Sequence, residues 1–326
     1  MFIMKTETNA TFPFKFLILF LVFLTSSLIF QSCKSDKKDA KPEAEEVEKD
    51  SVIDILTEDM EFQMPDTIPS GWVTFRYKNA SPQAHFIMVD DYPDGKTLDT
   101  IKARVVPVFD EGMNFINEGK MEEGFAAFGK LPEWFPEAKF IGGTGLVSPN
   151  HVATSTMKIS PGYYIFECYV KMSNGAFHVS MGMVKEVIVS DTDSGNSEPQ
   201  ADLAIEISST EGIVFKDSIS AGNHTFSVHY KDQIVHENFV GHDVNLAKLD
   251  DNADMDTLNI WMDWSNPKGL LEPAPAGVTF LGGMNNMLAG DTGYFTATLE
   301  PGRYVLVSEV NDPASKNLLK TFIVTE

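Results

Sequence analysis

The chain has 326 residues, 47 of them Asp or Glu against 25 Lys or Arg, for a formal net charge of -22. No basic cluster is dense enough to neutralise a phosphate backbone, which excludes a nucleic-acid partner, and the charge suits a self-repelling body beside a membrane. Two cysteines cannot form a disulfide framework, and the length suits two domains better than one.

At the N-terminus Lys5 and Lys15 flank the start of an apolar run, Phe16 to Phe30, that stops at Gln31-Ser32-Cys33. The run is short for a bilayer span and has the pattern of an export signal. Ser32 followed by Cys33 resembles the lipobox of bacterial lipoproteins, with Phe30 and Gln31 in the preceding places. That resemblance implies lipidation of Cys33, attachment to a bacterial membrane through the lipid, and an exported location on the periplasmic or cell-surface side. Residues 34–50 are mostly Lys, Asp, Glu, Ala and Pro. They cannot build a core and are expected to form a disordered tether.

Beyond the tether, short apolar runs alternate with turn residues: Trp72 to Tyr77, His85 to Val89, Ala153 to Ile159, Tyr163 to Val170 and Val184 to Val189. Such spacing predicts a β-sandwich or barrel. Between them, from Thr97 to Phe135, the apolar residues Leu98, Ile101, Val105, Met121, Phe125 and Phe128 fall at helical intervals, and Pro107 is expected to split that stretch into at least two helices. Phe140 to Val170 aligns with Phe280 to Val310 without a gap, at an offset of 140 residues. Phe140-Ile-Gly-Gly143 answers to Phe280-Leu-Gly-Gly283, and Pro161-Gly-Tyr-Tyr164 to Pro301-Gly-Arg-Tyr304. A repeat this long marks a duplicated domain. The expected organisation is a first domain over 51–190, a linker over 191–202 and a second domain over 203–326. In the second domain the stretch matching the helical insertion is about 20 residues shorter, which makes the insertion an elaboration on a shared frame.

The end of the first domain runs from the Pro161-Gly162 turn through Cys168 to His178 and Met183, a Cys-x9-His-x4-Met pattern followed by a last apolar run. Earlier, Asn79-Ala-Ser-Pro-Gln-Ala-His85 places a histidine after an Asn-containing turn. Together these segments resemble the copper-ligating hairpin and upstream histidine of cupredoxins, although Phe86 stands where that family commonly has Asn. The resemblance implies a mainly β fold of two Greek-key sandwich domains, the first carrying the helical insertion. It also implies one copper ion in the first domain, held by His85, Cys168 and His178 with Met183 on the axis, Met181 being the alternative axial residue. A thiolate and two imidazoles with a weak thioether suit both oxidation states of copper.

In the second domain Ser308 occupies the position of Cys168, the following loop has no His, and His242, the counterpart of His85, is expected to stand alone. A serine cannot replace the thiolate, so the second domain is expected to lack this kind of copper site. His236 and His242 are six residues apart and would not share a helical face, so they are read as a hairpin and not a zinc-protease helix. The expected function is single-electron transfer or copper holding, with a redox or copper-transfer protein as partner. A saturated four-ligand ion leads to the expectation of no enzymatic turnover. The other reading is a metal-free interaction or scaffold module that docks through an unusually apolar insertion containing Val105, Val108, Phe109, Phe115, Ile116, Trp134 and Phe135.

Overall fold

The computed structural model describes residues 52–326, and the expected export signal, Cys33 and the tether lie outside them. Its first half contributes β1 (Val52–Thr57), β2 (Thr67–Asn79), β3 (His85–Asp91), α1 (Leu98–Arg104), α2 (Val106–Asn117), α3 (Met121–Ala127), β4 (Lys139–Val147), β5 (Val152–Ile159), β6 (Gly162–Glu167) and β7 (Val184–Asp193). Its second half contributes β8 (Leu203–Ser208), β9 (Gly212–Val214), β10 (Ser218–Ser220), β11 (Gly222–Tyr230), β12 (Val244–Leu249), α4 (Met255–Trp261), β13 (Val278–Met284), β14 (Thr292–Leu299), β15 (Gly302–Val307) and β16 (Leu319–Thr325). The described chain is mainly β, as its alternating runs require.

The strands form two layers. One is ordered β1-β2-β5-β14-β11-β8-β9, and the other β10-β16-β15-β12-β13-β4-β3-β6-β7. Strand β2 belongs to both, because its first residues pair with β7 while Gly71 to Lys78 pair with β5. The crossing falls at Gly71, whose φ of 86° is left-handed and where a Cβ would stand 2.6 Å from Asp193 Oδ2. Only glycine takes that corner without strain. Alternation sets the core: Val73, Phe75 and Tyr77 of β2 are buried, and Phe75 meets Phe166 of β6 edge to face at 5.8 Å between ring centroids. Burying each such side chain contributes roughly 2–3 kcal/mol.

Neither layer stops between the halves. Strand β5 pairs with β14 and β4 with β13, both antiparallel. Ser155 lies opposite Phe295 and Thr144 opposite Met284, each its own counterpart in the repeat, and about the first of these Thr154 and Thr156 pair reciprocally with Thr296 and Tyr294. This is the self-complementary arrangement of a two-fold interface. Asn245 Oδ1 accepts from the Leu146 amide at 2.7 Å across the seam.

The insertion forms three helices. Pro107 lies in the first turn of α2, where its missing N–H leaves no hydrogen bond broken. Phe109 is surrounded by Phe128, Phe135, Phe239 and Trp264, with centroid distances from 5.4 to 6.3 Å. Phe109 and Phe128 therefore pack inward against Phe239 and Trp264 of the second half, whereas Phe125 is exposed and Phe115 and Trp134 are half-buried. Three further differences from the sequence reading concern boundaries. Strand β6 ends at Glu167, before the expected Val170, because the chain there turns into the candidate site. Strand β7 continues to Asp193, into the stretch read as linker, because Ser70 pairs with Asp193. The stretch from His236 to His242 contains no strand, and is closed by a turn in which the His236 amide donates to Val240 O at 2.8 Å.

Candidate metal centre

His85 is the first residue of β3, and the five residues before it form a loop that one buried side chain organises. Asn79 Nδ2 donates to Gln83 O at 2.7 Å and to Val147 O at 2.8 Å, while its Oδ1 accepts from the Ser81 amide and hydroxyl at 3.0 and 2.8 Å. The Ser81 hydroxyl, thus directed at Asn79, leaves its oxygen to accept from His85 Nε2 at 2.7 Å. That hydrogen bond places the ring proton on Nε2 and leaves the Nδ1 lone pair facing the interior. Glu272, from the second half, fastens the same loop by accepting from the Ala84 amide at 2.6 Å.

Cys168 directly follows β6, and the segment after it doubles back as a small hairpin. Met172 and Ala176 close a turn at Gly175, whose φ is 87°, and Lys171 bridges to Phe177. The His178 amide consequently reaches Val170 O at 2.8 Å, which returns His178 to the side of Cys168. A 3-10 turn over Val179–Met181 then ends at left-handed Gly182. This brings the Met183 amide to His178 O at 3.0 Å and Met183 O to the Cys168 amide at 3.2 Å. Met183 is fully buried, whereas Met181 is 55% exposed on the outside of the turn.

Of the expected ligands the structure brings His85, Cys168 and His178 together. Their ligand atoms lie within 4.8 Å of one another, the one such group of three His, Cys, Asp or Glu among the described residues. Cys168 Sγ is 3.7 Å from both His85 Nδ1 and His178 Nδ1, which are 3.0 Å apart. Met183 is anchored to two of the three through its backbone, and Met181 is turned away. Burial governs the charges. It pushes the Cys168 thiol up to about 12, against the amides of Phe86 and Val170 that donate to it. Burial, and then the neighbouring His178, lowers His85 to about 3, and burial lowers His178 to about 4. His178 Nε2 is buried without a hydrogen-bond partner. Two neutral imidazoles with Nδ1 atoms aimed at one sulfur fit a soft, thiolate-binding transition metal such as copper, whose charge would favour the thiolate.

Several contributors were not singled out from sequence. Asn79 was visible only as a turn residue, and Ser81 and Glu272 had no local signal because their partners are set by folding. Asp110 of α2 accepts from Ser180 Oγ at 2.6 Å, so the insertion braces the loop carrying His178. Phe86, which departs from the family pattern, packs on Tyr169 with centroids 4.6 Å apart.

In the second half His242 holds the place of His85. Ile87 pairs with Thr144 as Val244 pairs with Met284, and Met88 with Glu167 as Asn245 with Val307. Even the amide after the histidine is reused, since that of Asp243 donates to Ser308 Oγ at 2.9 Å. The Ser308 hydroxyl then donates to Asp243 Oδ1 at 3.0 Å. His242 does not stand alone, contrary to expectation, because His236 faces it at 3.4 Å. The turn within that loop folds the two rings together without any shared helical face.

No family model matches the chain, and no curated protein does. Among solved structures it is similar to a dithionite-reduced auracyanin from the photosynthetic bacterium Roseiflexus castenholzii, at 22% identity over 42% of this chain and 94% of that one, with a TM-score of 0.26. It is also similar to a multicopper oxidase at 12% identity over 84% of this chain and 88% of that one, TM-score 0.22. A copper-containing nitrite reductase from Thermus scotoductus matches at 11% identity over 84% and 61%, TM-score 0.21. The fold is the mainly β sandwich expected from the sequence, and at these scores the matches carry no weight for the site. The expectation of no enzymatic turnover is corrected, because the similar structures include an oxidase and a nitrite reductase, which are enzymes. A saturated ligand set constrains the ion it holds and not the rest of the chain.

Proposed function

We propose that the chain is a tandem cupredoxin-like protein that binds one copper ion in its first half, for single-electron transfer or for holding copper outside the cytoplasm. The observation that carries this reading is the convergence of His85 Nδ1, Cys168 Sγ and His178 Nδ1 within 4.8 Å. Copper bound there would supply a one-electron couple. The residues supply the rest: Ser81 and Asn79 hold the His85 ring, and the Gly182 turn fixes Met183 beneath the loop while excluding Met181. Burial keeps water from adding ligands, so little need move when the charge changes by one. Cys33, by its lipobox resemblance, would hold the protein to a bacterial membrane, with a redox or copper-transfer protein as partner.

The test is Cu(II) titration of the full chain, followed by its visible spectrum. One equivalent should be retained, with an intense thiolate-to-copper band that Cys168→Ser abolishes and Met181→Leu leaves in place. Met183→Leu should shift the reduction potential and Met181→Leu should not. A colourless protein that retains no copper would sink the reading.

A further inference from the structure

The second half has lost the thiolate but not the histidine, and the histidine has gained a companion. His242 Nε2 donates to Asp232 O at 2.9 Å, which fixes the proton there and leaves the Nδ1 lone pair free, as Ser81 does for His85. His236 Nε2 lies 3.4 Å from that Nδ1, with the rings 5.7 Å apart at 66°. The contact is at the long end of a hydrogen bond, and it sets two ring nitrogens against each other as in the first site, where His85 Nδ1 and His178 Nδ1 are 3.0 Å apart. Both rings are buried, His236 at 7% and His242 at 0% exposure, and burial lowers both from the ordinary histidine range. They are neutral ligands at neutral pH.

The neighbouring groups decide which ion could be held. Ser308 Oγ donates to Asp243 Oδ1, which also accepts from the Glu309 amide, and no third His, Cys, Asp or Glu joins the pair among the described residues. Zinc prefers four ligands, and calcium and magnesium require oxygen cages. Two opposed neutral imidazoles suit a monovalent d10 ion that accepts two-coordinate geometry, namely copper(I). His236 borders a surface pocket with Glu237 and Lys316, which gives an entry path. The Asp232 carboxylate, 3.7 Å from His242 Nε2, supplies nearby negative charge.

We propose that His236 and His242 form a second site, selective for copper(I), so that the chain takes up one ion in each half. The two sites rest on different residues, and their tests separate them. Full-length protein is titrated anaerobically with Cu(I) against a chromogenic chelator, alongside His236→Gln, His242→Gln and Cys168→Ser, with circular dichroism to confirm folding. The wild type should take two equivalents, and each histidine variant one, while both keep the visible Cu(II) band of the first site. A tenfold excess of zinc should displace nothing from the second site. If the first site binds no copper, the wild type should take one equivalent, kept by Cys168→Ser and lost by His236→Gln. Retention of the wild-type stoichiometry by both histidine variants would overturn the proposal, as would displacement by zinc.

Discussion

Copper uptake at the first site should release one proton, and the number should stay constant across a wide pH range. With His85 at about 3, His178 at about 4 and Cys168 at about 12, the free site holds two neutral imidazoles and one neutral thiol from roughly pH 5 to pH 9. A bound thiol is deprotonated and a bound imidazole stays neutral, so only the sulfur proton leaves. Affinity should then rise about tenfold per pH unit, or ~1.4 kcal/mol. Unperturbed groups behave differently: histidines near 6.5 would add protons to the count below about pH 6.5, and a thiol near 8.5 would reduce it toward pH 9. The count is read by calorimetry of Cu(II) binding in buffers of different ionisation enthalpy. The full chain is required, because a fragment ending in the linker would expose the seam edges of β4 and β5. A count approaching two at pH 6 would show that burial does not control the histidines. A count near zero at pH 7 would show a preformed thiolate.

Ser81→Ala removes the acceptor of the His85 ring proton and should weaken copper binding ten- to a hundredfold, measured by chelator competition; unchanged affinity would mean that the ring is held by packing alone. Asn79→Ala leaves Gln83 O, Val147 O and the Ser81 amide without their buried partner and should destabilise the copper-free protein by roughly 2–4 kcal/mol, a loss that a denaturant midpoint equal to wild type would contradict. Lys171 offers a pH test, since burial, opposed by Asp263 and Glu309, lowers it to about 7. Between there and its unfolded value the unfolded chain binds a proton that the native state lacks, so stability rises with pH over that window, by roughly 5 kcal/mol at most. Lys171→Met should remove this rise, and parallel stability curves for the two proteins would refute it.

The fold and the ligand set were legible in the sequence to different depths. Alternation along Trp72–Tyr77 and Ala153–Ile159 identified strands because burial on one face imposes a period of two. The gap-free repeat marked the two halves, but not their joining: Ser155 and Thr154 look like ordinary strand residues, and only folding sets them beside Phe295 and Thr296. Cys168, His178 and Met183 could be read together because one local hairpin orders them. Sequence spacing allowed both methionines, and the left-handed Gly182 separates them by turning Met183 inward. The partners Ser81, Glu272 and Asp110 were hidden because hydrogen bonds to polar surface-type residues leave no periodic signal.

The paired halves also account for Phe86. In the second half the residue after the histidine is Asp243, and its carboxylate accepts from both the Ser308 hydroxyl and the Glu309 amide. A buried hydroxyl needs such an acceptor. In the first half a carboxylate at that position would lie beside the sulfur, hold its thiol protonated by like-charge repulsion, and oppose the thiolate that a metal requires. Phe86 places an apolar ring against Tyr169 instead, while its amide still donates to the sulfur, just as the Asp243 amide donates to Ser308. The backbone of the site is therefore common to both halves. The exchanges Cys168 for Ser308 and Phe86 for Asp243 belong together, since each side chain is suited to one of the two chemistries and costly beside the other.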